Sequence, residues 1–172
     1  MSEESTNPIV IIDTSMGTIT AELWADKAPK TIENVLAYVD DQFYDGLVFH
    51  RVISEFMIQG GGMDVDMKQK ATKAPVVNEA SSELLNNRGT LAMARTSDVN
   101  SATAQFFVNL VDNSFLNHQN ETPQGFGYCA FGSVIDGMDV VDQIGAVSTG
   151  RSGFHDDVPV EPVMINSIRR AD

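Results

Sequence analysis

Apolar runs of strand length recur along this chain, and few segments carry a helical period. Ile9 to Asp13, Thr18 to Trp24, Val48 to Ile53, Phe56 to Gln59, Leu91 to Ala94, Phe106 to Val111, Tyr128 to Ile135 and Val163 to Ile168 are each bounded by polar or glycine-rich residues, as short β-strands are. In the second run Ile19, Ala21 and Leu23 alternate with Thr18, Thr20 and Glu22, so one face is apolar and the other wet. Met16-Gly17 predicts a hairpin turn between the first two. Pro29 opens a stretch in which Ile32, Val35, Leu36 and Val39 recur at three- and four-residue spacing, a helix ending near Asp41. Asp136 to Ile144 places Met138, Val141 and Ile144 on one helical face, with Gly145 as its stop. Two helices cannot cover both faces of a parallel sheet. The predicted fold is therefore mainly β, a closed antiparallel barrel of about eight strands capped by two α-helices, one over each open end.

With 172 residues, 42% of them hydrophobic, the chain fits one domain spanning 1–172, in which residues 1–8 are a polar extension. Eleven basic residues against 24 acidic ones give a formal charge of −13. That balance argues against nucleic acid or an anionic membrane as the main partner, since both need a basic face. The start, Met1 to Pro8, lacks the basic and apolar regions of a secretory signal, and no apolar run is long enough to span a bilayer. A cytoplasmic location and a monomeric state are expected. Cys129, the single cysteine, cannot form an internal disulfide and fits a reducing compartment. Asn120-Glu121-Thr122 matches the glycosylation triplet, which has meaning only in a secreted chain.

Around position 50 the chain reads Val48-Phe49-His50-Arg51-Val52-Ile53-Ser54-Glu55-Phe56-Met57-Ile58-Gln59-Gly60-Gly61-Gly62. As one strand, 48–53 puts Phe49, Arg51 and Ile53 on one face and Val48, His50 and Val52 on the other. An arginine there is a fixed cation at the edge of an apolar pocket, a donor and never a base. The glycines lack the lysine and hydroxyl residue of a phosphate loop, so they are expected to let the backbone turn after Gln59. His50 reads as a hydrogen-bonded structural residue opposite Arg51. Cys129 stands in an apolar strand without a flanking base, which makes it a packed thiol. His118 and His155-Asp156-Asp157 match no standard ligand spacing, so neither metal nor cofactor is predicted. The polar stretches 63–85 and 117–127 exceed common loop lengths and are expected to be functional loops on a rigid barrel.

The segment 48–62 resembles the central signature of the cyclophilins, the peptidyl-prolyl cis-trans isomerases, FHR-x-I-x-x-F-M-x-QGG, with Val52 a mild substitution. Gly89-Thr90-Leu91-Ala92-Met93-Ala94 and Ala104-Gln105-Phe106-Phe107 are similar to the family's G-x-L-[SA]-MA and SQFF elements, with Ala104 where many members have serine. Phe115-Leu116, then Tyr128 to Val141, resemble its pocket floor and closing helix, and the resemblance runs in collinear order from about Ile9 to Ile168. The resemblance implies that Arg51 is the catalytic arginine and that Phe56, Met57, Phe107, Leu116 and Tyr128 wall a proline pocket. It places Gln59 and Gln105 near the substrate backbone and Ala94 with Arg95 along the edge where a peptide lies. Phe115 stands where eukaryotic members carry tryptophan and Tyr128 where they carry histidine, as in the bacterial cytoplasmic branch. Weak rather than tight cyclosporin binding is expected.

By this resemblance the partners are X-Pro peptides and unfolded or flexible proteins, and the reaction is rotation about the X-Pro bond. Rotating a planar amide costs about 18–20 kcal/mol, while the two X-Pro ground states differ by about 1 kcal/mol or less, so only the barrier needs lowering. The alternatives are a proline-peptide binding or chaperone module with little turnover, and a hydrolase. No nucleophile, base and orienting group occur together at motif spacing for the latter.

Overall fold

The computed structural model describes residues 7–153 and 155–171. Its strands are β1 (Ile9–Thr14), β2 (Gly17–Leu23), β3 (Leu47–Val48), β4 (Arg51–Ile53), β5 (Met57–Gly60), β6 (Thr90–Met93), β7 (Phe106–Asn109), β8 (Ala130–Asp136), β9 (Thr149–Ser152), β10 (His155–Pro159) and β11 (Met164–Arg170). The helices are α1 (Pro29–Asp40) and α2 (Met138–Gly145), with one 3-10 turn at Ser114–Leu116. Of the expected polar extension, residues 1–6 lie outside the described residues. Pro8 is already tied to the sheet, its carbonyl accepting from the Leu23 N–H at 2.8 Å.

Nine strands form one antiparallel sheet in the order β3-β11-β1-β2-β8-β6-β7-β5-β4. Its two edge strands are separated in sequence only by Phe49 and His50. The sheet therefore curls until both edges belong to the segment 47–53, and the predicted ring of strands closes through the chain rather than through a ladder. Here the structure departs from the continuous strand 48–53. The Phe49 N–H still reaches Val163 O at 3.0 Å beside β11, whereas Arg51 already pairs with Gln59 of β5. At this crossing a Cβ on Gly60 would lie 2.7 Å from Val48 O, so only glycine lets the strands pass. The break also turns Phe49 inward, edge-on to Phe106 with centroids 6.1 Å apart, instead of onto the face of Arg51.

Inside the ring, Val10, Ile12, Leu23, Leu91, Phe106, Phe131 and Ile168 meet Val35 and Val39 of α1 and the Tyr44 ring around a residual cavity of about 10 Å³. That is no more than one water could occupy. A barrel packed this densely loses about 3–5 kcal/mol when one such ring is cut to alanine, and any ligand must bind on its outer wall.

Helix α1 starts at Pro29, whose missing N–H would have been unpaired there in any case. Its next N–H groups are capped from the loop 63–85, because the Glu79 carboxylate accepts from Thr31 N at 2.6 Å and Lys30 N at 3.3 Å. The helix ends in a Schellman turn: Phe43 N–H reaches Tyr38 O, Gln42 N–H reaches Val39 O, and Gln42 takes φ 58°. Helix α2 begins two residues later than Asp136. Gly137 at φ 88° forms the corner, and a Cβ there would lie 2.3 Å from Thr18 O. Gly145 belongs to the helix rather than ending it, and what it permits is close packing, since its Cβ would meet Leu110 at 2.8 Å. The ribbon of β9 and β10 has no counterpart in the sequence prediction.

Candidate active site

Alternation along β4, β5 and β7 decides which side chains reach the outer wall. Val52, Ile58 and Phe106 turn into the core, so Arg51 and Ile53, Met57 and Gln59, and Phe107 and Asn109 turn away from it. Register then aligns them: Arg51 faces Gln59, which faces Phe107, and in the next row Ile53 faces Met57, which faces Asn109. The two adjacent phenylalanines divide as alternation requires. Phe106 packs edge-on to Tyr44 at 5.7 Å in the core, and Phe107 edge-on to Tyr128 at 5.8 Å on the wall.

Over these rows lies a cavity of about 130 Å³ lined by Arg51, Phe56, Met57, Gln59, Ala94, Arg95, Phe107, Leu116 and Tyr128. Every predicted site residue except Gln105 and Phe115 lines it. Gln105 lies one step along, accepting from Gln59 Nε2 at 3.0 Å. Its side chain rests where a Cβ on Gly62 would be, 2.3 Å from Gln105 Cγ, so the third glycine seats the glutamine. Gly61 has φ 90°, the turn expected after Gln59. Gln105 belongs to an adjoining groove of about 280 Å³ that shares Gln59, Ala94 and Arg95 with the first cavity and adds Gln69, Thr72, Thr96, Ser101 and Thr103. Those five residues were not singled out from sequence. Phe115 is 65% exposed and stacks on Phe56 with centroids 5.7 Å apart, so it backs the wall from outside rather than lining it.

Arg51 is exposed at the rim, where its Nη1 donates to Gln59 Oε1 at 3.3 Å. Among the described residues Arg88, Arg151, Arg169 and Arg170 pair with aspartates, and Arg51 takes part in no ion pair. Gln59 carries the contact on to Gln105, forming a polar line beside an aromatic and aliphatic wall. Arg95 is held differently, with its guanidinium nitrogens donating to the carbonyls of Gly127, Thr96 and Pro123. It therefore ties the loop 117–127 to the end of β6 as well as lining the cavity.

His50 is 6% exposed, and its Nδ1 has no hydrogen-bond partner among the described residues, so it is not the hydrogen-bonded residue expected from sequence. The break in 47–53 directs it toward the β9–β10 ribbon, where it lines a separate cavity of about 340 Å³. Burial, followed by the charges of His155 and Arg51, pushes its pKa down to about 4. Cys129 is packed as expected: it is 3% exposed, its Sγ lies 3.7 Å from Thr31 Oγ1, and burial pushes the thiol up to about 11. His118 is occupied by its own loop, with Nδ1 2.8 Å from Phe126 O. The sequence reading also passed over three buried asparagines, Asn86, Asn109 and Asn113. Their signal was legible at Asn109, an amide inside an otherwise apolar strand, which must be hydrogen-bonded to be there.

The sheet, its two helices and the arginine-rimmed cavity with its aromatic and aliphatic wall agree with what the comparisons with known proteins find. Residues 9–170 match the family model described as cyclophilin type peptidyl-prolyl cis-trans isomerase/CLD, and the chain belongs to that family. It is 58% identical over 160 residues to the Escherichia coli peptidyl-prolyl cis-trans isomerase B, covering 93% of this chain and 98% of that one. A Streptomyces antibioticus peptidyl-prolyl cis-trans isomerase is likewise 58% identical over 160 residues, covering 93% of this chain and 96% of its own. Among solved structures, a Cryptosporidium parvum cyclophilin type peptidyl-prolyl cis-trans isomerase superposes with a TM-score of 0.75 at 26% identity, over 96% of this chain and 98% of that one. The same parasite protein crystallised in the presence of the dipeptide Ala-Pro gives 0.74 at 26% identity, over 95% and 99%.

Proposed function

We propose that this chain accelerates cis–trans rotation about X-Pro bonds by seating the proline ring in the cavity lined by Phe56, Met57, Phe107, Leu116 and Tyr128, with Arg51 as the catalytic residue. In the planar amide the nitrogen lone pair is delocalised into the carbonyl. At the twisted transition state it is not: the nitrogen becomes pyramidal and can accept a hydrogen bond that the ground state cannot. A guanidinium placed at that nitrogen binds the transition state more strongly than the substrate, which is the condition for catalysis. The twisted amide is also less charge-separated, so an apolar wall favours it over the planar form.

The magnitudes agree with a site of this kind. A turnover of about 10³ s⁻¹ corresponds to a barrier near 13 kcal/mol, about 5–7 kcal/mol below the uncatalysed one. One aimed charged donor supplies about 3 kcal/mol, and desolvation and orientation supply the rest. The observation that carries the reading is Arg51 at the rim of an apolar cavity, engaged by one glutamine and by no carboxylate among the described residues. A binding module needs the wall but not the cation. The adjoining groove past Gln59 and Gln105 offers amide partners to the substrate backbone on one side of the proline.

The substrates on this reading are X-Pro peptides and unfolded or flexible proteins, and the chain acts as a single monomeric domain. A cytoplasmic location is supported by the single buried thiol, which suits a reducing compartment; no helix among the described residues is long and apolar enough to cross a membrane. The test is isomerisation of a short X-Pro peptide by the purified protein in chelator. Acceleration proportional to protein concentration is expected. A rate equal to the uncatalysed one would leave a binding module.

A further inference from the structure

Asn86 and Asn109 are fully buried and Asn113 is 3% exposed, and an amide so placed is costly unless its partners are met. What these three hold indicates what they are for. Asn86 Nδ2 donates to the backbone carbonyls of Leu116 at 3.2 Å and Tyr128 at 3.1 Å, with a third contact to Asn117 Oδ1 at 3.3 Å. Asn113 Nδ2 donates to the Phe56 carbonyl at 2.9 Å. Asn109 joins them, its Nδ2 donating to Asn86 Oδ1 at 3.2 Å and its Oδ1 accepting from Asn113 Nδ2 at 2.8 Å. Its second N–H goes to Thr90 Oγ1 at 2.9 Å. The orientation of each amide is therefore fixed, since reversing Asn109 would set two NH₂ groups against each other.

The carbonyls at the ends of this chain of amides belong to Phe56, Leu116 and Tyr128, three walls of the cavity drawn from separate segments of sequence. Phe56 precedes β5, Leu116 sits in the 3-10 turn and Tyr128 precedes β8. The Leu110 and Tyr128 N–H groups also reach the Phe56 and Leu116 carbonyls at 2.9 Å, so the amides add to backbone bonds and join the three segments to one another. We propose that Asn86, Asn109 and Asn113 are positioning residues that set the width of the proline pocket, tuning its affinity without touching the substrate. This rests on the proline-pocket reading above. A purely structural role would appear in stability alone, whereas positioning appears in the Michaelis constant and in peptide affinity.

Asn109→Ala cuts the chain at its centre. It is assayed with a short X-Pro peptide well below its Tm, and the same peptide is titrated by NMR to give a dissociation constant independent of turnover. Losing the link is expected to raise KM and the dissociation constant together by about tenfold, with kcat within about threefold of wild type. Thr90→Val removes the bond at the end remote from the cavity and is the stability control, expected to lower Tm but leave KM unchanged. Asn113→Ala, which removes the bonds to the Phe56 carbonyl and to Asn109 Oδ1 but leaves Asn86 bound to Leu116 and Tyr128, carries the test if Asn109→Ala does not fold, with a rise in KM of about threefold. An unchanged KM in a folded asparagine variant, or an equal rise in Thr90→Val, overturns the proposal. A wild-type protein that binds the peptide without turning it over removes the enzyme reading only, because the dissociation constant still reports the pocket; one that binds no X-Pro peptide removes both.

Discussion

The guanidinium of Arg95 lies 4.9 Å from the centroid of the Tyr128 ring, and it also donates to the carbonyls of Gly127, Thr96 and Pro123. One side chain thus fixes both an aromatic wall of the cavity and the loop that leads to it. Arg95→Ala is expected to raise KM for X-Pro peptides by about three- to tenfold and to lower kcat little, since cation–π contact and hydrogen bonds are each worth about 1 kcal/mol here. Arg95→Lys should recover little, because a single ammonium cannot span three carbonyls. Steady-state kinetics decide it, and a kcat loss that exceeds the KM change would assign Arg95 to the chemistry instead.

On the proposed mechanism, Arg51→Ala removes the donor to the pyramidal nitrogen and leaves the apolar wall of the cavity in place. Turnover is expected to fall by about 10²–10³ with peptide affinity changed far less. Arg51→Lys keeps the charge but not the planar fork, and is expected to restore little. More than about a third of wild-type turnover in a folded Arg51→Ala protein would refute the transition-state argument.

His50 supplies a stability signature in pH. Its ordinary pKa is about 6.5, and in the folded protein it is about 4. Between these values the unfolded chain binds the extra proton, so His50 favours folding fully above pH about 6.5 and loses that contribution as pH falls toward 4. By pH 5 the loss is about 2 kcal/mol, a fall in Tm of about 5 °C. The aspartates paired with arginine, Asp40, Asp45 and Asp142, are lowered below their ordinary value and lose their contribution only at more acid pH. His50→Gln should flatten the Tm profile between pH 7 and 5. An unchanged slope would mean that other groups carry the acid sensitivity.

Phe115 presents its ring to solvent over Phe56, where tryptophan would add an indole N–H and more apolar area. Phe115→Trp is expected to tighten cyclosporin by roughly ten- to thirtyfold, from about 1 kcal/mol for the hydrogen bond and a similar amount from area. Inhibition titrations test this. An unaltered inhibition constant would place the drug's discrimination in the loop 117–127.

Most of the barrel and most of the pocket could be read from the sequence, for a shared reason. Alternation at Thr18 to Leu23 or Arg51 to Gln59 reports burial on one face, and burial is what a sheet wrapped around a core enforces. Residues 149–159 gave no such signal because β9 is exposed along its whole length and β10 pairs only with it. The break at Phe49–His50 was hidden by the opposite circumstance: Val48, Phe49 and His50 are all buried, so no exposed residue marks where the chain changes partners. His50 could not be placed, since its neighbour His155 is remote in sequence. Phe115 was placed at the pocket by resemblance, and only the structure shows that its ring stacks on Phe56 from the solvent side.

The strand order bears on how such a chain is made. β11 lies between β1 and β3 and bonds to both, so residues 164–170 complete a ring whose other members precede them in sequence. Until that stretch has left the ribosome, β1 and β3 each keep an unpaired edge, a template for wrong partners. The ring thus forms only after residues 164–170 are translated, and until then the strands before them wait as an open ribbon.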